Sequence, residues 1–247
     1  MKFLSIGLLV ILLAFAPNSG FKTNQLKNQR VKQAYANKQS TIDSILKRHQ
    51  LDVSTIQIFI RVFKAERVLE LWAKDANEEK YKLIEKFDFC SFSGELGPKR
   101  KQGDLQTPEG FYHIDRFNPW SSFHLSLGIN YPNSSDRILG YKANLGGDIF
   151  IHGDCVTVGC IPLTDDKIEL LYLLAVEARN NGQLKIPVHL FPFVMNDRNK
   201  QVKYLANRTN AGLIEFWKNL EPGFRYFEEN KVLPRVTVNS TGAYQFR

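Results

Sequence analysis

Cysteine is scarce in this chain, which has three of them, Cys90, Cys155 and Cys160. A structural zinc site usually takes two pairs of ligands with the spacing C-x2–4-C. His152, Asp154 and two of the cysteines lie within nine residues of one another, but the sequence has no second pair of cysteines elsewhere. The sequence therefore predicts neither a metal site nor a cofactor.

Long hydrophobic runs are also lacking, apart from one at the N-terminus. Residues 3–16 form an apolar run of fourteen residues, which is shorter than the roughly 20 residues that a membrane-spanning helix needs. Lys2 before the run and Ala14 and Ala16 at its end match an export signal. Because Pro17 is unfavourable directly after a cleavage site, we predict that residues 1–16 are a signal peptide or a retained N-terminal anchor. A buried N-terminal strand is the alternative.

Excess positive charge is lacking outside the N-terminal segment. The net charge is +8, to which residues 17–50 contribute +6 from seven basic residues against Asp43, and residues 51–247 sum to about +1. Binding of nucleic acid requires a basic face on the folded body, so it is not predicted. The basic N-terminal arm fits contact with an anionic membrane or wall polymer better than contact with nucleic acid. A solvated helix face that binds nothing is favoured over either contact.

The chain shows no repeats or low-complexity segments, and its 43% of hydrophobic residues are enough for one sizeable core. Helical spacing predicts helices in residues 24–49 and 211–220, and Thr164 as N-cap predicts a helix from there to Asn180. Apolar and β-branched runs predict strands over 55–63, 67–73, 81–92, 110–116, 148–152 and 186–195. The predicted fold class is a mostly β domain with peripheral helices, and residues 93–110 are predicted to form a long loop.

Residues 149–164, IFIHGDCVTVGCIPLT, carry the residues that indicate chemistry. His152 follows an apolar run, and Cys160 comes eight residues later, directly after Gly159 and just before the predicted helix. Cysteine-dependent acyl transfer needs a thiol and a base held together. Cys160 is the candidate nucleophile, with a pKa that the base and the helix N-terminus would lower. A buried structural cysteine is the alternative.

The neighbours of Cys160 are candidates for the rest of the machinery. His152 would accept the thiol proton and later protonate the leaving amine, and a core histidine is the alternative. Gly159 would allow close approach of the backbone, so that the amides of Gly159 and Cys160 stabilise an oxyanion. A plain turn glycine is equally consistent with the sequence. For Cys155 three interpretations stay open: a small buried hydrophobic residue, a disulfide partner of Cys160, or a metal ligand.

Four segments resemble the YkuD-type L,D-transpeptidases, cysteine enzymes that act on the peptides of the bacterial wall. They are residues 93–114, 127–137, 149–172 and 188–193. The resemblance implies a catalytic domain of the sandwich or barrel type over residues 51–195. The basic helical arm, residues 17–50, would precede it and a C-terminal helical extension, residues 196–247, would follow it. It also implies a protein exported to the periplasm or cell envelope of a bacterium, with peptidoglycan stem peptides as substrates.

The resemblance suggests which residues line the substrate cleft. Arg137 would bind a stem-peptide carboxylate, which an arginine can hold through two hydrogen bonds, and an ion pair with Asp136 is the alternative. Tyr131 and Thr157 are further candidates for substrate contact.

The sequence departs from the commonest family pattern at the nucleophile. That pattern is Ser-His-Gly-Cys, whereas this chain has Thr157, Val158, Gly159 and Cys160, so the histidine two residues before the cysteine is missing. The role of base therefore falls to His152, and the sequence looks like an exported subgroup that includes hydrolases as well as transferases. We predict an L,D-transpeptidase that forms cross-links or attaches proteins. The alternatives are a hydrolase that releases peptides or lipoprotein from peptidoglycan, and an inactive module that binds wall peptides.

Overall fold

The computed structural model describes residues 20–247, so the predicted signal peptide or anchor, residues 1–16, lies outside the described residues. The helices of the described part are α1 (Gly20–Gln25), α2 (Gln29–His49), α3 (Ser134–Leu139), α4 (Asp165–Asn180), α5 (Asp197–Ala206) and α6 (Ala211–Asn230). Its strands are β1 (Ile56–Phe63), β2 (Val68–Asp75), β3 (Lys82–Asp88), β4 (Gly110–Asn118), β5 (Ser126–Ile129), β6 (Phe150–His152), β7 (Ile161–Pro162), β8 (Ile186–Phe191), β9 (Val236–Val238) and β10 (Tyr244–Phe246).

Eight strands form one curled sheet in the order β3-β2-β1-β8-β4-β5-β6-β7. Neighbouring strands are antiparallel except for the pairs β1–β8 and β6–β7, which are parallel. The predicted first hairpin is confirmed, with Phe63 of β1 opposite Val68 of β2. The predicted β-rich domain with peripheral helices is also confirmed, as a mixed α/β domain in which the sheet curls into a half-barrel.

Strand β1 is buried on both faces of the sheet, which explains its nearly unbroken apolar sequence. Ile58 and Ile60 belong to a core that includes residues of α2 and α4. Phe59 and Phe63, which alternate with them along the strand, pack in clusters that contain residues of α6. The sheet is therefore covered by α2 and α4 on one side and by α6 on the other.

The N-terminal helices pack on the body of the protein. Val31, Ala34 and Ile42 of α2 are fully buried in the core that α4 shares. The Lys22 ammonium forms a 2.6 Å ion pair with Glu177 of α4. Basic residues of this segment thus take part in internal contacts, and the segment is not a detached arm.

Helix α4 begins and ends where the sequence predicts. Thr164 has the extended backbone of an N-cap residue, although its side chain makes no capping hydrogen bond, and Asp165 and Asp166 occupy the first turn. Most side chains of α4 are buried. Helix α4 therefore forms the layer between the sheet and the N-terminal helices.

The C-terminal segment differs from the prediction in two respects. Helix α6 is longer than the predicted 211–220, because it continues through Pro222 to Asn230. Strands β9 and β10 form an additional antiparallel hairpin. None of the helices in residues 20–247 is long and apolar enough to cross a membrane.

Candidate active site

Strands β6 and β7 bring the segments that carry the two candidate catalytic residues next to each other. The strands are parallel, with Ile151 opposite Ile161. The next pair in register is His152 and Pro162. Both isoleucines are fully buried in the core, and successive side chains of a strand point to opposite faces. His152 therefore points to the face directed away from that core. Cys160 lies in the bend just before β7, and its Sγ is beside β6, 3.4 Å from the amide of Phe150.

The imidazole of His152 is held in one tautomer. Its Nδ1 lies 2.5 Å from the carbonyl oxygen of Gly153, and because a carbonyl only accepts hydrogen bonds, Nδ1 carries the proton and Nε2 is left as a proton acceptor. The ring of Phe123 packs against the imidazole at a centroid distance of 4.8 Å. Burial lowers the pKa of His152 below its usual range. The neutral, basic form of His152 is thus favoured at neutral pH.

The thiol of Cys160 is half-buried and free. Its Sγ accepts a hydrogen bond from the Phe150 amide at 3.4 Å and lies 3.7 Å from the carbonyl oxygen of Asp148. Burial raises the pKa of the Cys160 thiol, so the lowered pKa expected from the nearby helix is wrong. The reason is that loss of hydration around the sulfur outweighs the hydrogen bond from Phe150.

Gly159 occupies a position that a larger residue could not take without strain. Its φ is +128°, and a Cβ atom at this residue would lie 2.9 Å from the carbonyl oxygen of Gln106. The Gly159 amide donates to the Thr157 hydroxyl at 3.2 Å, and that hydroxyl donates to the Cys160 carbonyl oxygen at 2.9 Å. Thr157 therefore closes the turn that presents Cys160. An oxyanion role for the Gly159 amide would require its hydrogen bond with Thr157 to break.

Residues 97–107, which we call the wall loop, lie against this turn. The Gln106 carbonyl oxygen of this loop is the atom that a Cβ on Gly159 would approach most closely. Tyr131 is buried behind the wall loop, where its hydroxyl lies 3.1 Å from the carbonyl oxygen of Leu145 and 3.4 Å from that of Lys99. The Tyr131 hydroxyl thus connects the wall loop to the segment that leads into β6, and in this position it is directed at the protein backbone.

Arg137 is exposed on α3, and it is not the ion-pair partner of its neighbour Asp136. That partner is Arg100 of the wall loop, at 3.3 Å, and the Tyr112 hydroxyl donates to the same carboxylate at 2.8 Å. Burial raises the pKa of Asp136 to about 6. The alternative of an Arg137–Asp136 pair is therefore wrong, and the Arg137 side chain stays at the surface.

Comparison with known proteins identifies the family. Residues 57–188 match the family described as "YkuD: L,D-transpeptidase catalytic domain". The chain is also 36% identical over 202 residues to the Escherichia coli K12 protein named "Putative L,D-transpeptidase YafK". The aligned region covers 81% of this chain and 78% of that protein. The chain belongs to the L,D-transpeptidase catalytic domain family. The resemblance seen in the sequence is thereby confirmed for the family, and the exported subgroup stays a prediction.

Two solved structures are similar to this L,D-transpeptidase family member at lower identity. The helical cell shape determining protein Pgp2 from Campylobacter jejuni is 22% identical with a TM-score of 0.45, over 69% of this chain and 60% of that chain. Bdellovibrio bacteriovorus Bd1075 is 19% identical with a TM-score of 0.40, over 76% of this chain and 79% of that chain. The chain thus spans about three fifths of the Pgp2 structure.

A disulfide bond ties down the loop between β6 and β7 in this L,D-transpeptidase family member. Cys155 of that loop is bonded to Cys90, with the two Cα atoms 5.3 Å apart. All three interpretations of Cys155 are therefore wrong: it is not bonded to Cys160, it is exposed, and its sulfur is not available as a metal ligand. Within residues 20–247, no cluster of three or more histidine, cysteine or acidic residues could hold a metal ion.

The family and the disulfide together indicate where the protein acts. L,D-transpeptidases act on the stem peptides of peptidoglycan, outside the cytoplasm. Disulfide bonds persist in oxidising compartments and are rare in the cytosol, so the Cys90–Cys155 bond agrees with that location.

Sequence reasoning missed several residues of the site. Phe123 against His152, Gln106 against Gly159 and Arg100 on Asp136 are contacts between segments that are distant in the chain. Cys90 could have been found, because an odd cysteine count leaves one thiol free. If Cys160 is the nucleophile, the only disulfide bond that can form within the chain joins the remaining two cysteines.

Proposed function

We propose that this protein is a cysteine-dependent L,D-transpeptidase in which Cys160 attacks an amide of a peptidoglycan stem peptide. The observation that supports this most directly is the free thiol of Cys160 beside strand β6, which carries a histidine whose proton is held on Nδ1. Nε2 of His152 is then the nitrogen that can accept the thiol proton. We assign the attacked amide to the bond after the third residue of the stem peptide.

The proposed first half-reaction forms a thioester. Nε2 of His152 takes the thiol proton while Sγ of Cys160 bonds to the carbonyl carbon. Collapse of the tetrahedral intermediate breaks the C–N bond, and the protonated His152 gives its proton to the amine of the released fourth residue. The raised pKa of the Cys160 thiol and the lowered pKa of His152, both caused by burial, make transfer during attack more favourable than a preformed ion pair.

The proposed second half-reaction passes the acyl group to an acceptor. An amine, activated by loss of its proton to His152, attacks the thioester carbonyl and releases the Cys160 thiol, which gives a cross-link or an attached protein. Attack by water in place of the amine gives hydrolysis. Among the remaining candidates, Gly159, Thr157 and Tyr131 would shape the site, and the exposed guanidinium of Arg137 would bind a free carboxylate of the stem peptide.

Incubation of the purified protein with tetrapeptide muropeptides tests this proposal. Cross-linked or acceptor-linked products are expected, together with a thioester on Cys160 that mass spectrometry detects. Tripeptide products alone would identify the hydrolase. A retained but unchanged muropeptide would identify the binding module and would reject both enzyme proposals.

Replacement of the nucleophile provides the control for that assay. Cys160→Ala should abolish the thioester and lower product formation by at least about 10³-fold, because the residues of such a catalytic unit act together. Wild-type turnover by Cys160→Ala would reject the mechanism.

We also propose that the protein lies in the periplasm or is attached to the cell envelope. Its N-terminal helices would contact an anionic membrane or wall polymer. Four basic residues of this segment remain exposed beside those that take part in internal contacts: Lys27, Lys32, Lys47 and Arg48. Salt-sensitive cosedimentation with purified wall sacculi, lost when these four are changed to glutamine, is the expected result. Unchanged sedimentation of that variant would reject the contact.

A further inference from the structure

A buried ion pair lies where the wall loop meets the sheet. The ammonium of Lys64 is 3.0 Å from Oε1 of Glu109, and both side chains are fully buried. Breaking a buried ion pair by removal of one partner is strongly destabilising, because the remaining charge is left without compensation. A pair in this position can therefore hold in place the backbone segments to which it is hydrogen-bonded.

The ion pair holds both ends of the wall loop. Nζ of Lys64 donates to the carbonyl oxygen of Gly97 at 2.7 Å and to that of Thr107 at 2.8 Å. Oε1 of Glu109 accepts a hydrogen bond from the Gly97 amide at 2.7 Å. Gly97 and Thr107 are the first and last residues of the wall loop, so one ammonium group closes the loop at its base.

The wall loop in turn contacts the nucleophile segment. The Gln106 carbonyl, one residue before Thr107, is the atom that a Cβ on Gly159 would meet at 2.9 Å. Lys99 of the same loop is near enough for its charge to act on the Cys160 thiol. Displacement of the wall loop would therefore uncover the turn that presents Cys160.

The C-terminal helix completes the arrangement from outside. Nε1 of Trp217, a fully buried residue of α6, donates to Oε2 of Glu109 at 2.9 Å. The indole also packs edge-to-face on Phe193 at a centroid distance of 5.3 Å. Glu109 thus receives hydrogen bonds from the wall loop on one carboxylate oxygen and from α6 on the other.

We propose that Trp217, Glu109 and Lys64 are positioning residues that hold the wall loop against the Gly159–Cys160 turn, so that the C-terminal helix is part of the catalytic unit. The proposal rests on the proposed function only in taking Cys160 as the nucleophile. None of the three side chains needs to touch the substrate for this role. Their effect passes from α6 through the buried carboxylate and ammonium to the wall loop.

Trp217→Phe tests the proposal on the intact protein. The variant keeps an aromatic ring in the pocket but leaves Oε2 of Glu109 without its donor, and hydrogen bonds to charged groups are among the stronger ones in proteins. We expect deuterium exchange of the wall-loop amides to become about tenfold faster. Alkylation of Cys160 by iodoacetamide at a fixed pH should also become several-fold faster, because the thiol gains water and access.

Trp72→Phe is a matched control. Trp72 is also buried, and its Nε1 donates at 3.0 Å to Glu70, which is itself ion-paired with Arg61. It lies on β2, whose neighbours in the sheet are β1 and β3 and not the strands of the active site. The control should change global stability by a similar amount while leaving wall-loop exchange and Cys160 alkylation at the wild-type level.

The outcomes separate a positioning role from a merely structural one. Equal changes in Trp217→Phe and Trp72→Phe, or no change in either, would overturn the proposal. If Trp217→Phe does not fold, the double variant Lys64→Met with Glu109→Leu replaces it, because this variant exchanges both charges for apolar groups. The wall-loop amides of the double variant should show the same faster deuterium exchange. Exchange at the wild-type rate in the double variant would also overturn the proposal. These measurements need no substrate, so they can succeed even if the muropeptide assay shows no reaction.

Discussion

At the residue scale, the two reactive groups of the site are both neutral near pH 7. Burial raises the pKa of the Cys160 thiol and lowers the pKa of the His152 imidazole, so each change favours the uncharged form. Cysteine proteases that carry a thiolate–imidazolium pair have thiol pKa values of about 3–4. A neutral pair instead fits the proposed mechanism, in which the base removes the proton as the bond to carbon forms.

The pH dependence of Cys160 alkylation should show this directly. We expect the iodoacetamide rate to rise steadily from pH 6 to above pH 8.5, because only the thiolate reacts and the thiol pKa is raised above its usual value of about 8.5. Protein unfolded in urea should react faster at pH 7, because unfolding removes the burial. A rate plateau between pH 5 and 7 would show a thiolate–imidazolium pair and contradict this expectation.

At the scale of elements, the loop between β6 and β7 is held at both ends and in the middle. Its ends are strands that pair in parallel, and Cys155 within it is bonded to Cys90 in the segment after β3. The Cys90 amide also donates to the carbonyl oxygen of Pro162 at 3.2 Å. The loop between β6 and β7 is thereby attached to a segment that follows β3, the strand at the opposite edge of the sheet.

Removal of the disulfide should destabilise the fold. The bond joins residues 65 positions apart, and the loss of unfolded-state entropy that such a cross-link imposes corresponds to about 4 kcal/mol at 25 °C. We expect Cys90→Ala combined with Cys155→Ala to lower the free energy of unfolding in urea by about that amount. Cys160→Ala alone, which leaves the bond intact, is the control. A loss below about 1 kcal/mol would contradict the entropic account.

At the scale of the whole molecule, the N-terminal helices are one layer of the core. The Arg30 guanidinium donates to the carbonyl oxygen of Ser121 at 2.7 Å and also to that of His124, in the segment that carries Phe123. Phe123 packs on His152. The helices that precede the sheet in sequence therefore support the segment beside the candidate base.

Two alanines of α2 test this integration. Ala34 is fully buried, whereas Ala36, on the same helix, is exposed. Ala34→Glu should lower the free energy of unfolding by about 3 kcal/mol or more, because it buries an unpaired charge, and Ala36→Glu should change it by less than about 0.5 kcal/mol. Thermal or urea unfolding measures both. Equal stabilities of the two variants would show that α2 does not pack on the body.

The parts of the fold that the sequence predicted are those with a strong local pattern. The β1–β2 hairpin has two apolar runs and a short polar turn, and α4 has an N-cap, acidic residues in its first turn and an apolar stripe. Helix α5 was missed because none of its residues is buried, so it carries no stripe. Helix α6 was shortened because proline removes a helix hydrogen bond, yet Phe224 and Phe227 beyond Pro222 are buried and keep it helical.

In the candidate site, too, the residues that could be predicted are those with a local sequence pattern. His152 and Cys160 are close in sequence, and their spacing was enough to predict them as candidates. The wall loop, Arg100, Phe123 and the Lys64–Glu109 pair reach the site through contacts between distant segments, which no local pattern reports. The direction of the Cys160 pKa depends on how deeply the sulfur is buried, and burial follows from the complete fold.

The disulfide also sets a condition on how the chain matures. Cys155 and Cys160 are five residues apart, so pairing either one with Cys90 closes a loop of 65 or 70 residues, and the two closures differ by less than about 0.1 kcal/mol in chain entropy. The chain entropy of the unfolded protein therefore does not favour the Cys90–Cys155 bond over a Cys90–Cys160 bond. A molecule oxidised at the wrong sulfur would have lost its free Cys160 thiol. A full yield of molecules with that thiol therefore requires native contacts to form before oxidation, or reshuffling to correct the error afterwards.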